Sequence, residues 1–144
     1  MNLTLHIGEL AALSGRTVHA IRWYDAQGLI PGVARDGAGR RVFTERHLDW
    51  LALVDRLRST GMSVADIRRY AGLVRQGHAG LPGQRELLAA HRTRVAGALA
   101  EWQAALALLD SKLAFYEQWL TTGERPESEV RNSKTSGSVP KRRR

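Results

Sequence analysis

With 144 residues, 43% of them hydrophobic and 25% charged, the chain is long enough for one soluble domain with its own core and too short for two comfortable ones. It contains no cysteine, which excludes disulfides, thiolate metal sites and thiol redox sensing, and no apolar run of membrane length. The net charge of +8 is uneven: residues 1–75 carry eleven basic against seven acidic side chains, 76–125 five against five, and 126–144 six against two. A basic head and a basic tail therefore flank a neutral middle, as phosphate binding by the head would need. The opening MNLTLHIGEL lacks the basic-then-apolar order of a secretory leader, so a cytoplasmic location is expected.

From Ile7 to Leu13 the chain reads IGELAAL, apolar at spacings of three and four, which predicts a short amphipathic helix. Ser14-Gly15 interrupts it, and Thr17 caps a second helix, TVHAIRWYDAQ, that Gly28 ends. Two short helices joined by a tight glycine turn are the helix-turn-helix layout. On the second helix Val18, Ile21 and Tyr24 or Asp25 share the side that packs on the first, while Arg16, His19, Arg22, Trp23 and Ala26 face outward. Leu29-Ile30-Pro31-Gly32 is a short extended exit. In ARDGAGRRVF, Gly37 and Gly39 mark a hairpin tip, and Arg41-Val42-Phe43 alternates as a strand does. Thr44 caps a third helix to about Ser59, and Gly61 breaks it. Ser63-Val64-Ala65-Asp66 has capping-box spacing and opens a fourth helix that ends near Val74. Ile7, Leu10, Ile21, Leu48, Leu51 and Ile67 are expected in the core, and Trp50 as a packing residue.

Residues 76–83, QGHAGLPG, read as a flexible joint. From Gln84 to about Leu120 nothing stops a single helix. Leu99, Leu106, Leu113 and Leu120 recur every seven residues, and Leu88, Val95, Trp102, Leu109 and Tyr116 recur every seven on the adjoining position. Together they form a heptad seam. At ~1.5 Å per residue the helix would be about 55 Å long, too long for a head of this size to cover. The stripe needs a partner, and a second copy of the chain, antiparallel or parallel, is the first candidate. Beyond Gly123 the sequence is polar and aperiodic, so a disordered basic tail is expected over 121–144.

The order IGELAAL, a glycine turn, AIRWYDAQGLI, a basic hairpin ending RVF, and RLRSTGMSVADIR resembles the MerR family of transcription regulators over roughly residues 5–75. LLAAHRTRV followed by LALLDSKLAFY resembles the dimerisation helix of its short members. The resemblance implies an all-α dominated fold. A winged helix-turn-helix head of four helices and a small β-hairpin wing (5–75) would precede an antiparallel coiled-coil dimerisation helix (84–120). It also implies that the second helix lies in the DNA major groove. Arg22 and Tyr24 fall in the family's Arg-aromatic-Tyr motif: Arg22 would meet a phosphate or guanine edge, and Tyr24 the backbone or the underside of the helix. Thr17 and His19 would meet phosphate and base edges. Arg40 and Arg41 would reach the flanking backbone from the wing, and Arg58 from a second wing. Trp23 stands where a tyrosine is usual and reads equally as a DNA or wing contact or as core filling. Arg16, Arg40 and Phe43 also depart from the family's usual residues, and all three are counted with the DNA contacts; the extra arginines should raise nonspecific affinity, and Phe43 cannot donate the tyrosine's hydrogen bond.

The resemblance further implies a homodimer on promoter DNA that realigns badly spaced elements for RNA polymerase. With no cysteine and no large ligand domain, the effector would be a small organic molecule or absent. The five histidines, at 6, 19, 47, 78 and 91, show no ligand spacing, so no metal is expected and no cofactor. No paired nucleophile and base or phosphate loop suggests catalysis. His91 reads as a satisfied interfacial histidine, and the terminal PKRRR as added DNA attraction. An architectural DNA-bending protein of excisionase type is the alternative, disfavoured by the long pairing helix; a coiled-coil adaptor is a third.

Overall fold

The structure, a computed structural model, describes residues 3–127, which form two units divided between Ala96 and Gly97. Polar caps and glycines set most of the element boundaries in the first unit. The backbone N–H of His6 donates to Glu9 Oε2 at 2.8 Å and opens α1 (Ile7–Ser14). Gly15, at φ 69°, turns the chain into α2 (Val18–Ala26), whose cap Thr17 accepts from the Ala20 N–H at 3.0 Å. The wing follows as β1 (Ala34–Arg35) and β2 (Arg41–Val42), antiparallel with Ala34 opposite Val42 and Arg35 opposite Arg41.

Thr44 starts α3 (Glu45–Ser59), with His47 Nδ1 accepting the Thr44 N–H at 2.9 Å in the role a glutamate usually fills. The other ring nitrogen, Nε2, lies 3.0 Å from the Pro31 carbonyl, so this buried ring donates its Nε2–H to that oxygen. Gly61, at φ 97°, reverses the chain, and Ser63 caps α4 (Val64–Arg75) by accepting the Asp66 N–H at 3.1 Å.

Two clusters form the core of this unit. The first joins Leu5, Leu10, Ala11, Ile21, Ile30, Phe43 and Leu51; the second joins Leu29, Val54, Leu57, Met62, Ile67, Tyr70 and Leu87. Tyr24 packs against both. Leu10, Ile21, Leu51 and Ile67 are buried as expected, and Ile7 and Leu48 pack half-buried on the first cluster. Each such burial contributes about 1.5–3 kcal/mol. Trp50 stacks on Tyr70 at 5.0 Å and donates to the Leu29 carbonyl.

Phe43 departs from expectation. It is fully buried, bridged through its backbone to Leu5 and set edge-on to His47, so it belongs to the core and not to a DNA-facing surface. Arginines from α4 fasten the end of α2. Arg68 Nε donates to the Gln27 carbonyl at 2.7 Å, and Arg75 Nη2 reaches the Gly28 and Ile30 carbonyls at 3.1 and 3.2 Å.

The segment 76–83, expected as a flexible joint, is helical. A 3-10 turn spans Gly77–Gly80, and α5 (Leu81–Thr122) begins at once, with Pro82 in its first turn where no N–H donor is needed. Gly80 and Gly83 allow this close packing, because a Cβ on either would meet Leu73. The start of α5 is tied to the head through buried Leu87 and His91; the His91 Nε2 lies 2.8 Å from Thr60 Oγ1.

The second unit contains the rest of α5. Leu99, Trp102, Leu106, Leu109, Leu113, Tyr116 and Leu120 of the heptad seam are exposed in the single chain, and only Leu88 and Val95, nearer the head, are partly buried. The tail begins after Thr122; its residues 128–144, PKRRR included, lie outside the described residues.

Candidate nucleic-acid interface

The exposed side of α2 begins at its N-terminus. The first-turn N–H groups have no partners within the helix, and Thr17, with its oxygen occupied by Ala20, keeps its own hydroxyl proton to donate. His19 and Arg22 follow on the same exposed surface. Trp23 is 45% exposed and sets its edge against Tyr24, so it is not core filling. Tyr24 itself is half-buried and packs beneath the helix.

The wing brings its arginines to this helix. His6, Ile7, Arg22, Asp25, Ala26, Arg35, Arg40 and Arg41 line a cleft of about 570 Å³. Arg41 Nε lies 2.7 Å from Asp25 Oδ2, and Arg40 Nε donates to Asp36 Oδ2 at 3.0 Å. Asp36 organises the hairpin, accepting the Ala38 and Arg40 backbone N–H groups at 3.0 and 2.9 Å. The Arg40 N–H, chiefly, holds the Asp36 carboxyl down at about 2 against partial burial, with help from His6, the Ala38 N–H and the Arg40 charge.

The structure thus gathers Arg22, Arg40 and Arg41 in one cleft and adds Arg35, which sequence reasoning missed. Its signal was the register of the hairpin: Arg35 pairs directly across from Arg41. Thr17 and His19 sit apart from the cleft, at the start of the same helix. Arg58 is exposed near the Gly61 turn, where one amine donates to the Met62 carbonyl at 2.8 Å and steadies the turn.

Arg16 does not face outward. Its side chain is only 11% exposed, donates to the Leu51 carbonyl at 3.2 Å, pairs with Asp55, and lays its guanidinium over the Tyr24 ring at 4.6 Å. It fastens the helix-turn-helix to α3. The outward placement assumed a helical position, but Arg16 precedes the cap and its long chain folds back.

Exposed arginines gathered in one cleft are the chemistry of polyanion binding. Among the described residues no group of three or more His, Cys, Asp or Glu could hold a metal ion.

Comparison with known proteins shows the family. The family described as MerR HTH family regulatory protein matches residues 5–72, and that described as MerR, DNA binding, matches residues 48–112. An uncharacterized HTH-type transcriptional regulator of Haemophilus influenzae is 36% identical over 116 residues, 81% of this chain and 86% of the relative. The chain belongs to the MerR family. Among solved MerR structures, HiNmlR, a regulator lacking the sensor domain and bound to promoter DNA, is 35% identical with a TM-score of 0.69, over 85% of this chain and 97% of its own. A MerR-family regulator from Listeria monocytogenes is 32% identical with a TM-score of 0.73, over 83% and 90% of the two chains.

MerR proteins are DNA-binding transcription regulators, not enzymes, and this chain is one. They bind promoter DNA, typically as dimers. No helix among the described residues of this MerR chain is long and apolar enough to cross a membrane.

Proposed function

We propose that this MerR-family chain acts in the cytoplasm as a homodimer that grips promoter DNA with α2 and the wing and deforms it to control initiation by RNA polymerase. The observation that carries this reading is the convergence of Arg22, Arg40 and Arg41, exposed, on one cleft between α2 and the hairpin. Arg22 meets a phosphate or guanine edge, Thr17 and His19 the backbone and base edges at the helix start, and Arg40, Arg41 and Arg58 the flanking phosphates. Trp23 lies against the sugar edge beside them.

The seam from Leu99 to Leu120 supports pairing, since its exposed leucines and aromatics lose their contact with water only against another apolar face. An antiparallel pair of α5 helices is the dimer we favour. Deforming a promoter costs about 1–6 kcal/mol, which phosphate contacts from two heads can offset. Thiolate metal sensing is closed to a chain without cysteine, so a small organic effector, or constitutive binding, controls the switch.

Footprinting the purified protein on its own upstream intergenic DNA, across a range of salt, tests this. The expected result is protection of an inverted repeat between widely spaced −35 and −10 elements, with hypersensitive sites at its centre. Diffuse, salt-sensitive protection would indicate an architectural role, and no protection at low salt would overturn the reading.

A further inference from the structure

We infer that Asp25 is a positioning residue for DNA binding: its ion pair with Arg41 ties the wing to α2 and leaves the two terminal amines of Arg41 for a phosphate. This rests on the reading of Arg41 as a phosphate contact.

By charge alone Asp25 is misplaced. It is the one carboxylate lining a cleft of four arginines, where a polyanion is to bind. Its side chain is only 11% exposed, against 41% for Arg41, so it sits beneath the arginine and not beside it. The approach is through Nε at 2.7 Å, and Arg41 makes no other ion pair among the described residues. Pairing on the Nε side leaves the four terminal N–H donors of the guanidinium, coplanar by its own geometry, as the fork that suits a phosphate.

The wing needs such a tie. Its ladder has only two residue pairs, and nothing in that ladder sets the hairpin's angle to the recognition helix. Arg40 donates its Nε–H to Asp36, which also lies 3.4 Å from His6 Nε2 ahead of α1, but that pair lies within the hairpin and does not reach α2. Asp25 sits on α2 and Arg41 on β2, so their pair fixes wing and helix as one surface.

The two effects of removing the carboxylate have opposite signs, which makes the test sharp. Asp25→Asn removes a negative charge, and charge alone would tighten binding to any duplex. Positioning predicts the reverse for the operator. Affinity for the duplex defined by footprinting falls roughly five- to tenfold, the size of one ordinary hydrogen bond, and the slope of log K against log salt becomes shallower by about 0.9 per protomer. Affinity for a random-sequence duplex of equal length holds or rises. In an Arg41→Ala background, Asp25→Asn causes no further loss.

Arg41→Lys is the second variant, on an exposed strand where folding is not at risk. A single ammonium cannot serve Asp25 and also present a planar fork, so it should lose nearly as much as Arg41→Ala. Operator binding by Asp25→Asn or Arg41→Lys as tight as the unsubstituted protein, beside a defective Arg41→Ala, overturns the role of Asp25 alone. Unchanged binding and slope in Arg41→Ala overturns it through Arg41 itself.

Discussion

Replacing Arg16 by alanine separates a structural arginine from a DNA-binding one. Its donation to the Leu51 carbonyl is a hydrogen bond from a charged group, a kind that contributes about 1.5–3 kcal/mol. The guanidinium over Tyr24 adds about 0.5–1 kcal/mol. Asp55 is 60% exposed, so its ion pair adds about 0–1 kcal/mol. Against these, the buried Arg16 Nε has no partner, and deleting it returns roughly 1 kcal/mol. A net loss of about 2 kcal/mol in a unit of this size lowers Tm by about 8–16 °C. Circular dichroism melting at fixed protein concentration reads this directly. The salt slope of DNA binding, measured at a temperature where the variant is folded, should not change. Arg22→Ala is the mirror image: Tm within about 2 °C of the parent, with a slope shallower by roughly 0.9 per protomer. An Arg16→Ala protein that melts normally but binds DNA with a shallower slope would refute the structural assignment.

Leu106→Glu should leave the helicity of the chain intact and convert the dimer to monomer at micromolar concentration, read by sedimentation. Two leucine burials worth about 1.5–3 kcal/mol each are lost, and two charges are placed in an apolar seam; an unchanged dimer would reject the seam. Gly80→Ala places a Cβ 1.9 Å from the Leu73 carbonyl oxygen, and the forced shift should cost about 1–3 kcal/mol in melting experiments. No change would mean that 76–83 is the loose joint its glycines suggested. Asp36, held at about 2 in the folded wing, stabilises the hairpin above the ordinary carboxylate range, and that contribution disappears as pH falls through about 2. The Ala38 and Arg40 amide resonances should therefore hold their wing positions from pH 5 down to about 3. Loss of those shifts above pH 4 would contradict the cap.

The helices were legible because each carries its own punctuation. Thr17, Thr44 and Ser63 sit at N-caps in both the sequence reading and the structure, and the glycines at 15 and 61 adopt the positive φ that a turn requires. What escaped was set by contacts between distant residues. Phe43 is buried because Leu5, far upstream, bridges to it, and no local alternation encodes that pairing. Glycines at 80 and 83 resemble loop residues in composition, yet they act by lacking the Cβ that would collide with Leu73. Helical spacing puts Tyr24 or Asp25 on the packing side of α2, and both are half-buried, but the partner of Asp25 on the wing could not be read from that spacing.

The arginines that α4 extends to the end of α2 bear on how the head assembles. The carbonyls of Gln27, Gly28 and Ile30 find these donors 41 to 47 residues further along the chain. Gly28 ends α2 locally, but closing so wide a loop must come before the carbonyls at and beyond that end gain their side-chain donors, which places that step late in folding. A nascent chain released only as far as Ser59 would hold α2 with those carbonyls open to water. A fragment in which all three carbonyls keep their donors must therefore extend through Arg75.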